Sequence, residues 1–233
     1  MKIYRNEWKY VLRAAELSAI EARLKEVLAT DENSNTSGFY EIHSLYFDDL
    51  FDSSVRENDA GISERFKYRI RYYGDDTDYI KLERKEKRNG MCHKDACKLT
   101  KAEYEALVNG DVSEFVYDSE RKLLQTFSKD ILSKGYTPKA IVDYERVAFV
   151  EPISNVRITI DRNISASAAY DEFLTGDYLR YPVQEKLRHV LEVKFDDILP
   201  SYIRGMIDEC NLVQTSFSKY YLGRKQLKNM ERY

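Results

Sequence analysis

The stretch "SERFKYRIRYYG", residues 63–74, sets a cation at every second position from Arg65 to Arg71: Arg65, Lys67, Arg69 and Arg71. Phe66, Tyr68 and Ile70 fall between them, and Tyr72 follows. Period two is a strand signature. It places four positive charges on one face of a chain whose net charge is −3. Residues i and i+2 on one strand face lie ~6.7 Å apart. At an effective dielectric of ~20 each neighbouring pair repels by ~2.5 kcal/mol, against ~0.6 kcal/mol in bulk water. Such a row is tolerable on the solvated face of a two-faced sheet. Facing an enclosed space, it needs anions opposite it.

Other period-two runs carry the same kind of face. "YIKLERKEK" (79–87) sets Lys81, Glu83, Lys85 and Lys87 against Ile80 and Leu82. "HVLEVKF" (189–195) sets Glu192 and Lys194 against Leu191, Val193 and Phe195. "NEWKYVL" (6–12) sets Glu7 and Lys9 against Trp8, Tyr10 and Leu12. "VRITIDRNI" (156–164) sets Arg157, Thr159 and Asp161 against Val156, Ile158 and Ile160. Sheets of this kind can close on themselves and so acquire an inside. A closed sheet lined by many Lys and Arg and a few Glu would be a polyanion channel. Its cations would hold phosphates and its carboxylates a divalent metal.

The rest of the chain suits one domain over residues 1–233. The 233 residues are 43% hydrophobic and 33% charged, enough for a real core. With a net charge of −3, no whole-molecule field argues for nucleic acid or an anionic membrane. The N-terminal "MKIYRNEWKY" has no signal-peptide core, and no run approaches the length of a membrane helix. Three cysteines argue against a disulfide framework and for a reducing cytoplasm. Tyr, with 19 copies, can line a wet cavity with an apolar ring and a polar tip. "YEIHSLYFD" (40–48) and "AIVDYERVAFV" (140–150) read as further strands. Helices are expected at 14–29, at 100–110 with a Thr100/Glu103 capping box and a Gly stop, and at 119–132, 200–210 and 217–230, with Gly223 weakening the last. Loops are expected at 30–38, 73–78 and 87–91. Strands outnumber helices without regular alternation, which predicts α+β with a mostly antiparallel sheet.

The segments "RNEWKYVL", "IHSLYFDD", "RFKYRIRYYG", "IKLERKEK", "DYERVAF", "VRITIDRNI", "LEVKF" and "FSKYYLGR" together resemble the VTC-type polyphosphate polymerase domains of the triphosphate tunnel metalloenzyme (CYTH-like) superfamily. They run in the family's order over nearly the whole chain. The resemblance implies a closed, eight-stranded antiparallel β-barrel with helices packed around it. It implies transfer of the γ-phosphate of ATP to a growing polyphosphate chain inside the tunnel, with Mn2+ or Mg2+ required.

Position by position, the resemblance carries tunnel roles to Lys9, to the paired Arg69 and Arg71, and to Lys85, Arg146, Arg157 and Lys194. It carries phosphate contacts to Lys94, Ser218 and Lys219. Arg65, Lys67 and Lys81 extend the substrate-binding set along the same faces, Arg65 and Lys67 nearer the mouth or in solvent. The metal is expected at Glu192, with Glu7 or Glu83 beside it. Many tunnel hydrolases open with ExExK, whereas "RNEWK" has Arg5 at the first Glu, which fits the polymerase branch better. The sensing domain and membrane segments of the eukaryotic complexes have no counterpart here. A lone cytoplasmic catalytic domain is expected, any membrane-protein partner being another chain.

Phosphoryl transfer needs positioning and charge stabilisation more than covalent help, and a terminal phosphate acceptor needs no strong base. A triphosphatase or polyphosphatase on the same fold, and a non-catalytic polyphosphate- or nucleotide-binding module, remain the alternatives. Nothing resembles a base-reading surface for RNA. Cys92, His93 and Cys97 in "MCHKDAC" match no standard zinc spacing. His43 and His189 are expected to be structural, and Trp8 to be core.

Overall fold

The computed structural model describes residues 2–31, 38–185 and 187–230. Its elements run, in chain order, β1 (Asn6–Arg13), α1 (Ala14–Val27), β2 (Ala29–Thr30), β3 (Tyr40–Asp48), α2 (Ser53–Asp59), β4 (Arg65–Tyr73), β5 (Asp76–Arg88), β6 (Met91–Leu99), α3 (Lys101–Asn109), α4 (Lys122–Lys134), β7 (Thr137–Glu151), β8 (Val156–Ser167), β9 (Tyr181–Pro182), β10 (Arg188–Phe195), α5 (Ser201–Asp208) and α6 (Lys219–Met230). Every expected strand and helix is present. Residues 32–37 of the expected loop at 30–38 lie outside the described residues.

Strand β6 and helix α2 were not expected. The signal for β6 was the Asn89–Gly90 pair. Both have positive φ, 48° and 83°, and they link Arg88 to its ladder partner Met91 as a two-residue hairpin turn. The segment that holds Cys92, His93, Lys94 and Cys97 is therefore an edge strand. The Thr100/Glu103 box does form: the Thr100 hydroxyl accepts from the Glu103 N–H, and the Glu103 carboxylate accepts from the Thr100 N–H at 2.8 Å.

One antiparallel sheet follows the order β1-β10-β8-β7-β3-β4-β5-β6, with β2 beside β7 and β9 beside β8. The closed eight-stranded barrel is corrected: the sheet is curled but open. Its edges β1 and β6 meet through a single described bridge, where Arg5 and Cys92 exchange two backbone hydrogen bonds of 2.9 Å. The reason lies further along β1. There the segment before α6 takes the free edge, with Tyr10 bridged to Gln214 and the Thr215 N–H donating to the Lys9 carbonyl at 2.8 Å.

The apolar strand faces explain the layers. On the outer face, Phe47, Tyr68, Ile70 and Leu82 pack against Leu124, Phe127 and Ile131 of α4 and Leu107 of α3. Leu12, Phe149, Ile158 and Leu191 pack against Ile20 and Leu24 of α1 and Ile203 of α5. The third cluster lies on the charged face: Ile42, Val142, Ala166 and Val190 meet Tyr220 and Leu227 of α6. Gly223 does not break α6. A Cβ there would lie 3.2 Å from Ala166 Cβ and 3.3 Å from Val142 Cγ2, so the missing side chain lets the helix sit close to the sheet. Among the described residues no helix is long and apolar enough to cross a membrane.

Candidate functional site

Register turns the charged faces into one site. Arg69 lies opposite Tyr46 on β3 and Glu83 on β5, while Lys67 lies opposite Lys85, itself opposite Lys94 on β6. Across the curl, Lys9 faces Glu192 and Glu7 faces Lys194, a checkerboard of alternating sign. Lys194 then faces Arg157 on β8, and Arg146 on β7 faces Asp161. These faces enclose a cavity of about 1180 Å³.

Lys9, Arg69, Arg71, Lys85, Arg146, Arg157 and Lys194 all line it, as do Arg65, Lys67, Lys94, Ser218, Lys219, Glu7 and Glu192. Two expected members do not. Lys81 lies past the end of the lining on β5, with its ammonium 4.4 Å from the ring of the exposed Tyr79. Glu83 is fully buried behind the wall. Its oxygens are taken by Arg69 at 2.6 and 2.8 Å and Lys94 at 2.9 Å, with Arg71 at 3.8 Å. It stands apart from Glu7 and Glu192 and is a counter-ion of the paired arginines.

The Glu7 carboxylate touches Lys85 at 2.6 Å and Lys9 at 3.0 Å, with Lys194 at 3.9 Å. Glu192 touches Lys194 at 2.7 Å and Lys9 at 3.4 Å. Burial and the neighbouring Glu192 push the Glu7 carboxyl up, but Lys85, Lys9 and Lys194 overcome both and hold it well below the usual carboxylate range. Burial likewise opposes ionisation of Glu192, and Lys194, Lys9 and Lys85 hold it far down. Both are thus ionised, and they share the Lys9 ammonium.

Two ionised carboxylates on one cavity are the donor type that Mg2+ or Mn2+ takes from a protein, and here lysine ammonium groups occupy their oxygens. Among the described residues no group of three or more His, Cys, Asp or Glu could hold a metal by itself.

The arginines are fixed from behind. Arg146 forks onto Asp161 at 2.6 and 2.8 Å, and Lys219 reaches the same carboxylate at 2.5 Å. Burial pushes Asp161 up, but Arg146 and Lys219 hold it down at about 2. Arg71 donates to Ser44 Oγ and to the Tyr144 hydroxyl, both at 2.9 Å. Arg157 donates to the Tyr40 hydroxyl at 3.0 Å and pairs with Asp31.

The N-terminal end of α6 is tied into the cavity. Lys67 donates to Ser218 Oγ at 2.8 Å, and Lys9 to the Phe217 carbonyl at 2.9 Å. Burial lowers the Lys67 ammonium to about 8.

Sequence reasoning missed Asp161, Tyr40, Tyr46, Tyr73 and Tyr144 as parts of the site. Asp161 could have been found, since it alternates with Arg157 on the charged face of β8. The tyrosines carry no charge pattern, and only the register shows which rings face inward. His43 lies outside the cavity, stacked on Tyr72 with Nδ1 3.0 Å from Asp143. Trp8 reaches the cavity edge while its ring meets Phe195 edge-on at 4.9 Å.

A model of the VTC domain matches residues 4–228. No curated protein matches the chain in sequence. Among solved structures, a Bacillus halodurans protein described as a "putative adenylate cyclase" aligns with a TM-score of 0.54 at 12% identity, covering 93% of this chain and 95% of its own. The PH1819 protein of Pyrococcus horikoshii OT3 aligns with a TM-score of 0.51 at 13% identity, covering 98% and 100%. At such identities the likeness speaks for the fold alone.

Proposed function

The chain belongs to the VTC domain family, and we propose that it is a polyphosphate polymerase, moving the γ-phosphate of ATP onto the end of a polyphosphate chain within the basic cavity. The observation that carries this reading is the inward convergence of Arg69, Arg71, Arg146 and Arg157 with Lys9, Lys85, Lys194 and Lys219 on one cavity, beside a pair of ionised glutamates. Guanidinium groups already locked by Glu83, Asp161, Ser44 and Tyr144 present their remaining N–H groups in fixed directions. That is the preorganised geometry phosphoryl transfer rewards. The lysines, on flexible stems, can turn from carboxylate to phosphate oxygens and follow the moving charge. Glu7 and Glu192 would hold Mn2+ or Mg2+, which when bound neutralises charge between phosphate oxygens. The acceptor is already an anion, so no general base is needed.

The test is to incubate the purified protein with ATP and Mn2+ and resolve the products on a gel stained for polyphosphate. Chains of increasing length are expected. Orthophosphate without chains would move the reading to a hydrolase, and binding without ATP consumption to a non-catalytic module. Full activity in both Arg69→Ala and Glu192→Ala would sink the site assignment.

A further inference from the structure

Arg69 and Arg71 together have one carboxylate. Glu83 serves both and is shared with Lys94. The other partners of Arg71 are the hydroxyls of Ser44 and Tyr144. The two guanidinium groups therefore carry positive charge into a buried wall without a full complement of anions. The remaining nitrogen of Arg69, Nη1, donates at 2.9 Å to the hydroxyl of Tyr46, which lines the cavity and is only 6% exposed.

We propose that the Tyr46 phenolic oxygen is a resident anion that neutralises Arg69 and Arg71 in the empty cavity, and that an arriving phosphate or sulfate takes over this charge while Tyr46 takes up a proton from solvent. This rests on the cavity being an oxoanion site, as read above. It adds that binding is linked to proton uptake at a residue outside the cationic set, which makes Tyr46 a positioning residue for Arg69.

The surroundings of Tyr46 favour its ionised form. From β4 it faces Arg69 and Arg71, with Lys67 on the same strand face. From α6 it faces Lys219 and the ring of Tyr220, stacked at 5.1 Å. Of the two carboxylates on its own strand, the one near it in sequence, Asp48, is turned to α6, where it accepts the Tyr220 hydroxyl at 2.8 Å, and to the backbone N–H groups of Asp49 and Ser54 at 3.0 Å. Burial pushes the Tyr46 phenol up, but Arg69, Arg71 and Lys219 overcome it and bring it to about 7. Tyr220 goes the other way: burial and Asp48 push its phenol far up. The stacked pair thus divides into one phenol that ionises and one that stays a donor. A bound tetrahedral dianion on the same arginines would remove the field that ionises Tyr46, and the proton would return.

The experiment follows the ultraviolet tyrosinate band of the whole chain between about pH 6 and pH 8, where ordinary tyrosines with pKa about 10 stay protonated. The probe is sulfate, whose own protonation does not change in that range. Its binding is scored independently by the rise in thermal unfolding midpoint. One tyrosinate is expected, titrating near 7 and absent from Tyr46→Phe. Sulfate should raise its midpoint by about one pH unit. No band in the wild-type chain, or a band that survives in Tyr46→Phe, overturns the assignment to Tyr46. Sulfate that stabilises the fold but leaves the band unmoved overturns the exchange while leaving the cavity an oxoanion site. Sulfate that does not stabilise the fold at all overturns the reading of the cavity and the proposal with it. The wild-type titration stands even if the variant fails to fold.

Discussion

Glu7 and Lys85 pair at 2.6 Å across the seam where the two edges of the sheet share only the Arg5–Cys92 bridge among the described residues. A curled sheet without a closing ladder is here held by side chains. Lys2 adds to this on the outside, reaching Glu86 of β5 at 2.6 Å. Because the Glu7 side chain is nearly buried, neutralising it leaves Lys85 without its carboxylate partner and Lys9 with Glu192 alone. Glu7→Gln should cost about 3 kcal/mol in urea unfolding, and adding Lys85→Met should recover part of that loss. An unchanged urea midpoint would show that the pair does not hold the seam.

Asp161 is fully buried and takes Arg146 and Lys219 together. Asp161→Asn should destabilise the fold by about 3–5 kcal/mol, since both cations stay buried without their anion. Inorganic phosphate at millimolar concentration should restore more stability to this variant than it gives the wild-type chain. Equal gains in the two would mean that phosphate does not reach these cations.

Acid should unfold the protein early. Glu7, Glu83 and Glu192 are held well below the carboxylate range and Asp161 at about 2. Their folded pKa values lie under the unfolded values of about 4, so in that window the unfolded chain binds more protons and stability rises with pH. The contribution is complete above about pH 5 and is lost as pH falls toward 2. Urea midpoints across this range should drop steeply, and a flat profile from about pH 5 to pH 3 would contradict the sign.

Arg69→Ala and Arg71→Ala should each lower ATP-dependent chain synthesis by about 100-fold or more, the scale of losing a preorganised charge contact in a transition state. Lys81→Ala, outside the cavity, should leave the rate within about twofold. A comparable fall in Lys81→Ala would place the site lower on β5 than the cavity does.

Glu192→Gln should raise the Mn2+ concentration for half-maximal activity by about tenfold or more, while pyrophosphate binding without metal persists. A chelator should stop synthesis without releasing pyrophosphate. Loss of metal-free pyrophosphate binding in Glu192→Gln would mean that this carboxylate organises the lysines rather than the metal.

The period-two cation rows were enough to find the strands and the faces that bear charge, because alternation is a local property of extended backbone. The family resemblance, rather than the alternation alone, singled out Lys9, Arg69, Arg71, Lys85, Arg146, Arg157 and Lys194, with Arg146 on no charged row, and all seven line one cavity. The same alternation misjudged Lys81 and Glu83. It reports which face a residue is on, not how far along the strand the enclosed space extends or how deep a side chain lies in it.

What the sequence determined by itself was thus the set of charged strand faces and, through turns and caps such as Asn89–Gly90 and Thr100/Glu103, much of the order of elements that carries them. What only the tertiary structure decided was which opposite charges meet, which tyrosines turn inward, and that the barrel stays open. Several of those outcomes depend on partners 70 or more residues apart, such as Glu7 with Lys85 (78 residues) and Arg71 with Tyr144 (73 residues). They also depend on the segment before α6 claiming the edge of β1. Pairing across such distances is set by the curl of the whole sheet, and no local pattern along the chain encodes it.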